Sequence, residues 1–210
     1  MEVSDIIYIR LANHQLIGTE LKKPHEIVSW LGAVQAQNFN MAKWAIGVRL
    51  PGITDGDVEQ AINQGEIIRT HIMRPTWHLV AKDDIRWMLE LTAPRIISAL
   101  RSSDKILEIT PDVLKKAYSI IEKKLQKGIH PTRQEIGKML TANKISCEDS
   151  RRLNHIMYHA ELDGFVCNGT IRGKQQTYCL LDEKAPKTGV FHKEEALEKL
   201  ARKYFQSHSP

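Results

Sequence analysis

The stretch TRQEIGKMLTANKISCEDSRRLNHIMYHAELDGFVCNGTIRGKQQTYCLL, residues 132–181, decides the fold. Thr132 and Glu135 have the spacing of a capping box, in which hydroxyl and carboxylate each satisfy a backbone N–H of the first turn, so a helix is expected over Arg133–Leu140. The polar turn Thr141-Ala142-Asn143-Lys144 leads to a longer helix, from about Glu148 to Leu162, stopped by Asp163-Gly164. Phe165–Asn168 and Gln176–Leu181 then read as two strands around a basic turn, Gly169-Thr170-Ile171-Arg172-Gly173-Lys174. Upstream, Thr110-Pro111-Asp112 opens a helix that runs to Lys127, with Val113, Ala117, Ile120, Ile121 and Leu125 turned inward and Gly128 ending it. Helix, helix, turn, helix and a hairpin with a basic tip is the winged helix-turn-helix order.

The same order stands once more toward the N-terminus. An amphipathic helix is expected over Val3–Ile17 with Ser4 as N-cap. Pro24 opens a second helix, and Ile27, Val28, Trp30, Leu31 and Val34 form its inner face. A third runs from about Asn40 to Leu50 and stops at Pro51-Gly52, and Thr54 caps a fourth over Asp55–Asn63. Period two follows: Ile68, Thr70 and Ile72 share a face, and beyond Met73-Arg74-Pro75 the strand alternates Trp77 and Leu79 against Thr76, His78 and Val80. A helix from Lys82 to about Arg101 is expected to bend near Pro94, and Ser102-Ser103-Asp104-Lys105 is the best break between modules. The chain is therefore expected to be mainly α with small β-hairpins, as tandem winged modules: 1–104, 105–190, and 191–210 as the start of an incomplete third, with a helix from Lys193 to about Phe205. The halves show no residue-level similarity, so the repeat is one of architecture.

Composition narrows the class. Of 210 residues, 42% are hydrophobic, 26% charged and only 6% aromatic, so the core must be aliphatic and a disordered chain is excluded. No apolar run is long enough to span a bilayer, and the N-terminus lacks the pattern of a signal peptide. Cys147, Cys167 and Cys179 are odd in number and contain no C-x-x-C pair, which argues against a disulfide framework or zinc ribbon. A reduced, cytoplasmic, soluble protein is expected. The net charge of +5 is uneven: residues 1–104 hold 11 basic and 12 acidic side chains, residues 105–210 hold 19 and 13. Excess cations on one module suit a polyanion, although a solvated lysine-rich face has the same composition.

Where would chemistry lie? The helix 148–162 stands in the recognition position and offers Arg151, Arg152, Asn154, His155 and His159, with Arg172 and Lys174 on its wing. The alternative is that these charges form a solvated face, or that the helix packs on another module. His155 and His159 are four apart, as a metal pair would be, but Ile156 stands where a zinc protease needs Glu and no third ligand is evident, so no metal is expected. The segment Gly32-Ala33-Val34-Gln35-Ala36-Gln37-Asn38 is unusual. If the preceding helix ends near Val34, the extended chain brings Gln35 and Gln37 to one face. Two neutral amides are poor bases, yet they can orient a water and stabilise positive charge through their carbonyl oxygens. Helix C-capping and loop hydrogen bonding would use the same residues.

Leu31-Gly32-Ala33-Val34-Gln35-Ala36-Gln37 resembles the glutamine-x-glutamine segment of the winged-helix DNA glycosylases that remove alkylated purines and unhook crosslinks, the AlkZ–YcaQ group. Arg69-Thr70-His71-Ile72-Met73-Arg74-Pro75-Thr76-Trp77-His78-Leu79-Val80, with Asp84 and Trp87, is similar to that family's next signature, although Pro75 stands where the family usually has Gly. Met157–Gly164 and Arg172–Tyr178 resemble its second winged module. The resemblance implies tandem winged helices forming a concave surface for double-stranded DNA, alkylated or crosslinked. It also implies a third module, of which Tyr204–Pro210 looks like the beginning, so the chain reads as a truncated or naturally short member. Gln35 and Gln37 would position the water that attacks the sugar, without metal or organic cofactor. Arg74 and His78 would stand near the lesion or the DNA backbone; the alternative for His78 is a hairpin residue hydrogen-bonded within the first module. Two other readings fit the residues: a regulator that binds DNA without catalysis through Arg151, Arg152, Arg172 and Lys174, and a protein-interaction scaffold with helix 148–162 buried against another module.

Overall fold

A computed structural model describes residues 2–126, 128–187, 189 and 191–209. Helix α1 (Val3–Asn13) is capped by Glu2, whose backbone N–H donates to Asp5, and not by Ser4. It ends four residues before the expected Ile17, because Gln15 and then Gly18 take left-handed backbone conformations. None of its side chains is buried, so the apolar stripe of Val3, Ile7 and Leu11 lies on the surface.

The first winged unit follows as α2 (Pro24–Leu31), β1 (Ala33–Gln35), α3 (Phe39–Gly47), α4 (Asp55–Asn63), β2 (Ile67–His71) and β3 (Trp77–Ala81). The three strands pair antiparallel in the order β1-β3-β2. Gly32, at φ 78°, turns the chain from α2 into β1, a conformation that a residue with Cβ adopts with strain. Three short helices and the inner face of the sheet enclose a core that includes Ile27, Val28, Ile46, Ile62, Ile67 and Leu79.

Helix α5 (Ile85–Ile106) carries Pro94 within it and continues through Ser102–Lys105, where the sequence suggested a break; the chain turns only after Leu107. The second unit is α6 (Pro111–Leu125), α7 (Arg133–Ala142), α8 (Ser150–Leu162), β4 (Val166–Asn168) and β5 (Tyr178–Leu180). The expected end of α6 at Lys127, the module limit at residue 190 and the terminal Pro210 lie outside the described residues. The capping box of Thr132 and Glu135 forms as its sequence predicts. A third strand survives here only as a bridge between Thr132 and Thr177. Short α9 (Leu181–Lys184) then precedes α10 (Lys193–His208). Read from sequence as the opening of a third module, α10 lies across α2 and α5, where Lys203 and Lys199 reach the buried Asp84 at 3.0 and 3.2 Å.

The sheet of the first unit is covered on both faces. Ile68, Ile72 and Val80 face away from the first core and pack with Trp87, Met88, Cys167, Cys179 and Leu181, so the second unit closes the outer face. Each such aliphatic side chain contributes about 1.5–3 kcal/mol on burial. Strand β2 is a sheet edge, with N–H groups at Arg69 and His71 directed outward. The second unit caps both: Asn168 Oδ1 accepts from Arg69 N at 2.7 Å and Glu161 Oε2 from His71 N at 2.8 Å. Buried edge donors left without such partners are costly, so these side chains bind the two units together.

Candidate nucleic-acid site

Helix α2 ends at Leu31, earlier than Val34, and residues 33–35 are extended. Gln35 pairs with His78 across β1 and β3. Ala36 N donates to Trp77 O at 2.7 Å, which makes the Gln35–His78 pair the close, non-hydrogen-bonded kind, with both side chains on the same face of the sheet. Asn38 is spoken for, since its Oδ1 caps α3 by accepting from Met41 N. Gln35 and Gln37 are exposed, and among the described residues neither amide makes a hydrogen bond. The sequence left C-capping of the preceding helix and loop hydrogen bonding as alternative uses for them; the C-cap of α2 is Gly32, and the N-cap of α3 is Asn38.

His78 is buried, and its Nδ1 lies 2.9 Å from the Thr76 carbonyl, so Nδ1–H donates and Nε2 is left as an acceptor. Burial holds its pKa below the ordinary value against the raising effect of that hydrogen bond, and Arg74 adds to the depression. The ring is therefore neutral at physiological pH. Arg74 is exposed on the hairpin turn, where Tyr158 Oη donates to Pro75 O at 3.3 Å.

Behind the glutamines stands a residue that sequence reasoning missed. Arg69 in β2 donates from Nη2 and Nε to the Ala36 carbonyl, at 2.9 and 3.3 Å. Its guanidinium lies 4.1 Å from the Trp77 ring centroid and 5.6 Å from that of Phe39. The signal available was an Arg at an inward-facing strand position. Such a charge is found there only with a fixed partner.

The recognition position of the second unit is less open than its sequence implied. His155 Nδ1 and His159 Nε2 take one oxygen each of Asp104, at 3.0 and 2.9 Å, so the pair meets a carboxylate from α5. Glu161 reaches across to His71, and Ile156, Met157, Ala160 and Leu162 are buried. Thus α8 packs on the first unit, as the scaffold reading expected, and His155 is withdrawn from any base edge. Asn154 accepts from Arg133 at 2.9 Å. Arg152 donates to the carbonyls of Ser146 and Glu108. Arg151 is paired with Asp149 and Arg172 with Glu135, whereas Arg74, Arg133 and Lys174 have no carboxylate partner among the described residues. In the first unit the corresponding helix, α4, presents Asp55, Asp57 and Glu59, a face that stays acidic although Lys43 pairs with Asp55 and Glu59, and so repels phosphate.

Metal ligation has one candidate set among the described residues: His130, Cys179 and Glu183, with ligand atoms within 4.8 Å of one another. Thr170 N donates to His130 Nδ1, which places the neutral ring's proton on Nε2, facing Glu183 at 3.5 Å. Nδ1 is thus taken by Thr170, and Nε2 faces the Glu183 carboxylate without a hydrogen bond to it. Cys147, Cys167 and Cys179 are free thiols. No helix among the described residues is long and apolar enough to cross a membrane.

The comparisons with known proteins agree with this architecture. No curated protein matches the sequence. Among solved structures, the Streptomyces sahachiroi DNA glycosylase AlkZ superposes with a TM-score of 0.78 at 22% identity, over 96% of this chain and 56% of that one. The chain thus spans little more than half the length of that enzyme, and the likeness is one of fold. A family model described as DNA glycosylase AlkZ-like matches residues 28–210, from within α2 through both winged units to the C-terminal helix. The chain belongs to the AlkZ-like DNA glycosylase family.

Proposed function

We propose that this protein binds duplex DNA along the β1 edge and the β2–β3 hairpin and hydrolyses the N-glycosidic bond of an N7-alkylated purine. The observation that carries this reading is the pair of exposed, unbonded amides of Gln35 and Gln37 on a rigid segment beside a neutral His78. An N7-alkylated guanine is cationic and leaves readily. The C1′–N9 bond breaks, its electron pair neutralises the base, and a water oxygen bonds to C1′ and releases a proton to solvent. Neither amide has to take that proton. Their carbonyl oxygens hold the water and lie against the oxocarbenium character of the transition state. The step as drawn takes no metal or organic cofactor, as the resemblance to the family implies. Of the cations on the hairpin and the second unit's wing, Arg74 and Lys174 are the more available to phosphate, while Arg133, Arg151, Arg152, Asn154 and Arg172 would first have to leave internal partners.

Reading sequence in the major groove, as a regulator would, is disfavoured by the acidic face of α4 and by the packing of α8. The test is base release from duplex DNA carrying N7-methylguanine, with binding scored in the same samples. Release by the wild type and loss of about 10²–10³-fold in Gln35→Ala/Gln37→Ala, with binding retained, is the expected result. Release that is indifferent to both glutamines would remove them from the mechanism, and tight binding without release would favour a non-catalytic DNA binder.

A further inference from the structure

We infer that Arg69 is a positioning residue for the Gln35–Gln37 segment, acting through the carbonyl of Ala36; the inference rests on the glycosylase reading of that segment. Arg69 is only 8% exposed, yet among the described residues no carboxylate lies within ion-pair distance of its guanidinium. Glu161 acts on it only through space, and a buried cation without a directly bonded counterion is costly. If the position required only packing between the Trp77 and Phe39 rings, an uncharged side chain of similar length would serve. What the guanidinium adds is a planar fork that delivers two N–H groups to one oxygen while its face rests on an indole.

The oxygen it holds is the one that matters for geometry. Ala36 is completely buried between two exposed glutamines. Its N–H is fixed on Trp77 O, which sets the peptide plane on the Gln35 side. Its carbonyl is fixed on Arg69, which sets the plane on the Gln37 side. With both planes held, the backbone that joins the two glutamines is fixed on either side of Ala36, although neither side-chain amide has a hydrogen bond of its own. Chemistry that depends on water placement is sensitive to such orientation, because a displacement of about 1 Å can cost on the order of 10²-fold in rate. The relay begins further back, since Asn168 of the second unit holds the backbone of Arg69.

The test uses Arg69→Met, which preserves length and apolar packing, and Arg69→Lys, which restores one charged donor. Amide hydrogen exchange is followed at Ala36, whose N–H is held by Trp77 O, beside single-turnover release of N7-methylguanine and affinity for the same duplex. The expected result is a local loss of protection at Ala36 in Arg69→Met, release slowed by about 100-fold with affinity within about twofold, and partial recovery in Arg69→Lys. Wild-type protection at Ala36, or a loss of protection spread through both units, overturns the proposal, the latter because Arg69 would then be a general structural residue. A wild type that releases no base, while exchange at Ala36 still responds locally, would leave the positioning role standing and remove the glycosylase reading.

Discussion

The two winged units share an order of elements and differ in what their first strand does. In the N-terminal unit that strand is β1, paired over three residues with β3, and it delivers Gln35 and Gln37 to the surface before Asn38 caps the next helix. In the second unit the equivalent stretch shrinks to Pro131-Thr132: Tyr178 N donates to Pro131 O, Thr132 bridges Thr177, and Thr132 is the cap. The residue before it, His130, is tied to Thr170 and faces Glu183. The same topological position is therefore open and unbonded in one unit and internally satisfied in the other. A similar contrast holds behind the strands, because the second unit spends Glu161, Asn168 and the face of α8 on the edge and turn of the first. One unit presents chemistry and the other braces it, which a shared fold alone would not reveal.

Breaking the brace should have the largest effect. Glu161 is 1% exposed and accepts from both the ring and the backbone of His71, so Glu161→Ala leaves buried groups unpaired. A loss of about 3 kcal/mol in a denaturant titration is expected, with the lower midpoint seen by probes in both units. Asn168→Ala removes a single edge acceptor and should cost about 1–3 kcal/mol, with faster exchange at the Arg69 amide as its local signature. If either substitution destabilised only the second unit, the two would not be one braced body.

Smaller effects sharpen the electrostatic side. The backbone N–H of Thr132, and after it the guanidinium of Arg172, hold the Glu135 carboxyl down to about 2. A depressed carboxyl contributes its stability above the ordinary carboxylate pKa, and that contribution fades as pH falls from about 4.5 toward 2. Arg172→Ala should thus raise the Glu135 pKa in an NMR titration while changing neutral-pH stability very little, the pair being exposed. A Glu135 titration unmoved by Arg172→Ala would show that the arginine is free for phosphate. Smallest of all, Arg151→Ala should change neither stability nor duplex affinity by more than about twofold, since Arg151 is engaged by Asp149 on the surface.

Much of this was legible in the amino-acid order, for local reasons. Thr132 with Glu135, Thr54 before Asp55, prolines at 24 and 111, and the period-two run from Ile67 to Ala81 each encode their element within a few residues. What escaped depends on distant partners. Strand β1 is three residues long and exists because β3, more than forty residues later, pairs with it. Ser102–Lys105 looks like a polar break, but Asp104 is turned inward to His155 and His159. The basic helix α8 looks like a DNA-reading face until those same pairs are seen. At α1 the apolar pattern promised a buried face that the fold leaves on the surface. The two glutamines were visible as an oddity; Arg69, which holds the peptide between them, required the third dimension.

The most direct test of one unit presenting chemistry while the other braces it compares two double substitutions in a single assay. Gln35→Ala/Gln37→Ala and Arg151→Ala/Arg152→Ala are measured beside the wild type for release of N7-methylguanine from duplex DNA. Both glutamines and Arg151 are exposed, and the glutamines make no internal hydrogen bond, so each protein is expected to fold. The account predicts release lost by about 10²–10³-fold in the glutamine variant and kept within about threefold in the arginine variant, where Arg151 loses a surface pair and Arg152 its bonds to the Ser146 and Glu108 carbonyls, none of which touches the glutamine segment. Release that survives without the glutamines and fails without the arginines would contradict it, and would move the reacting surface to α8.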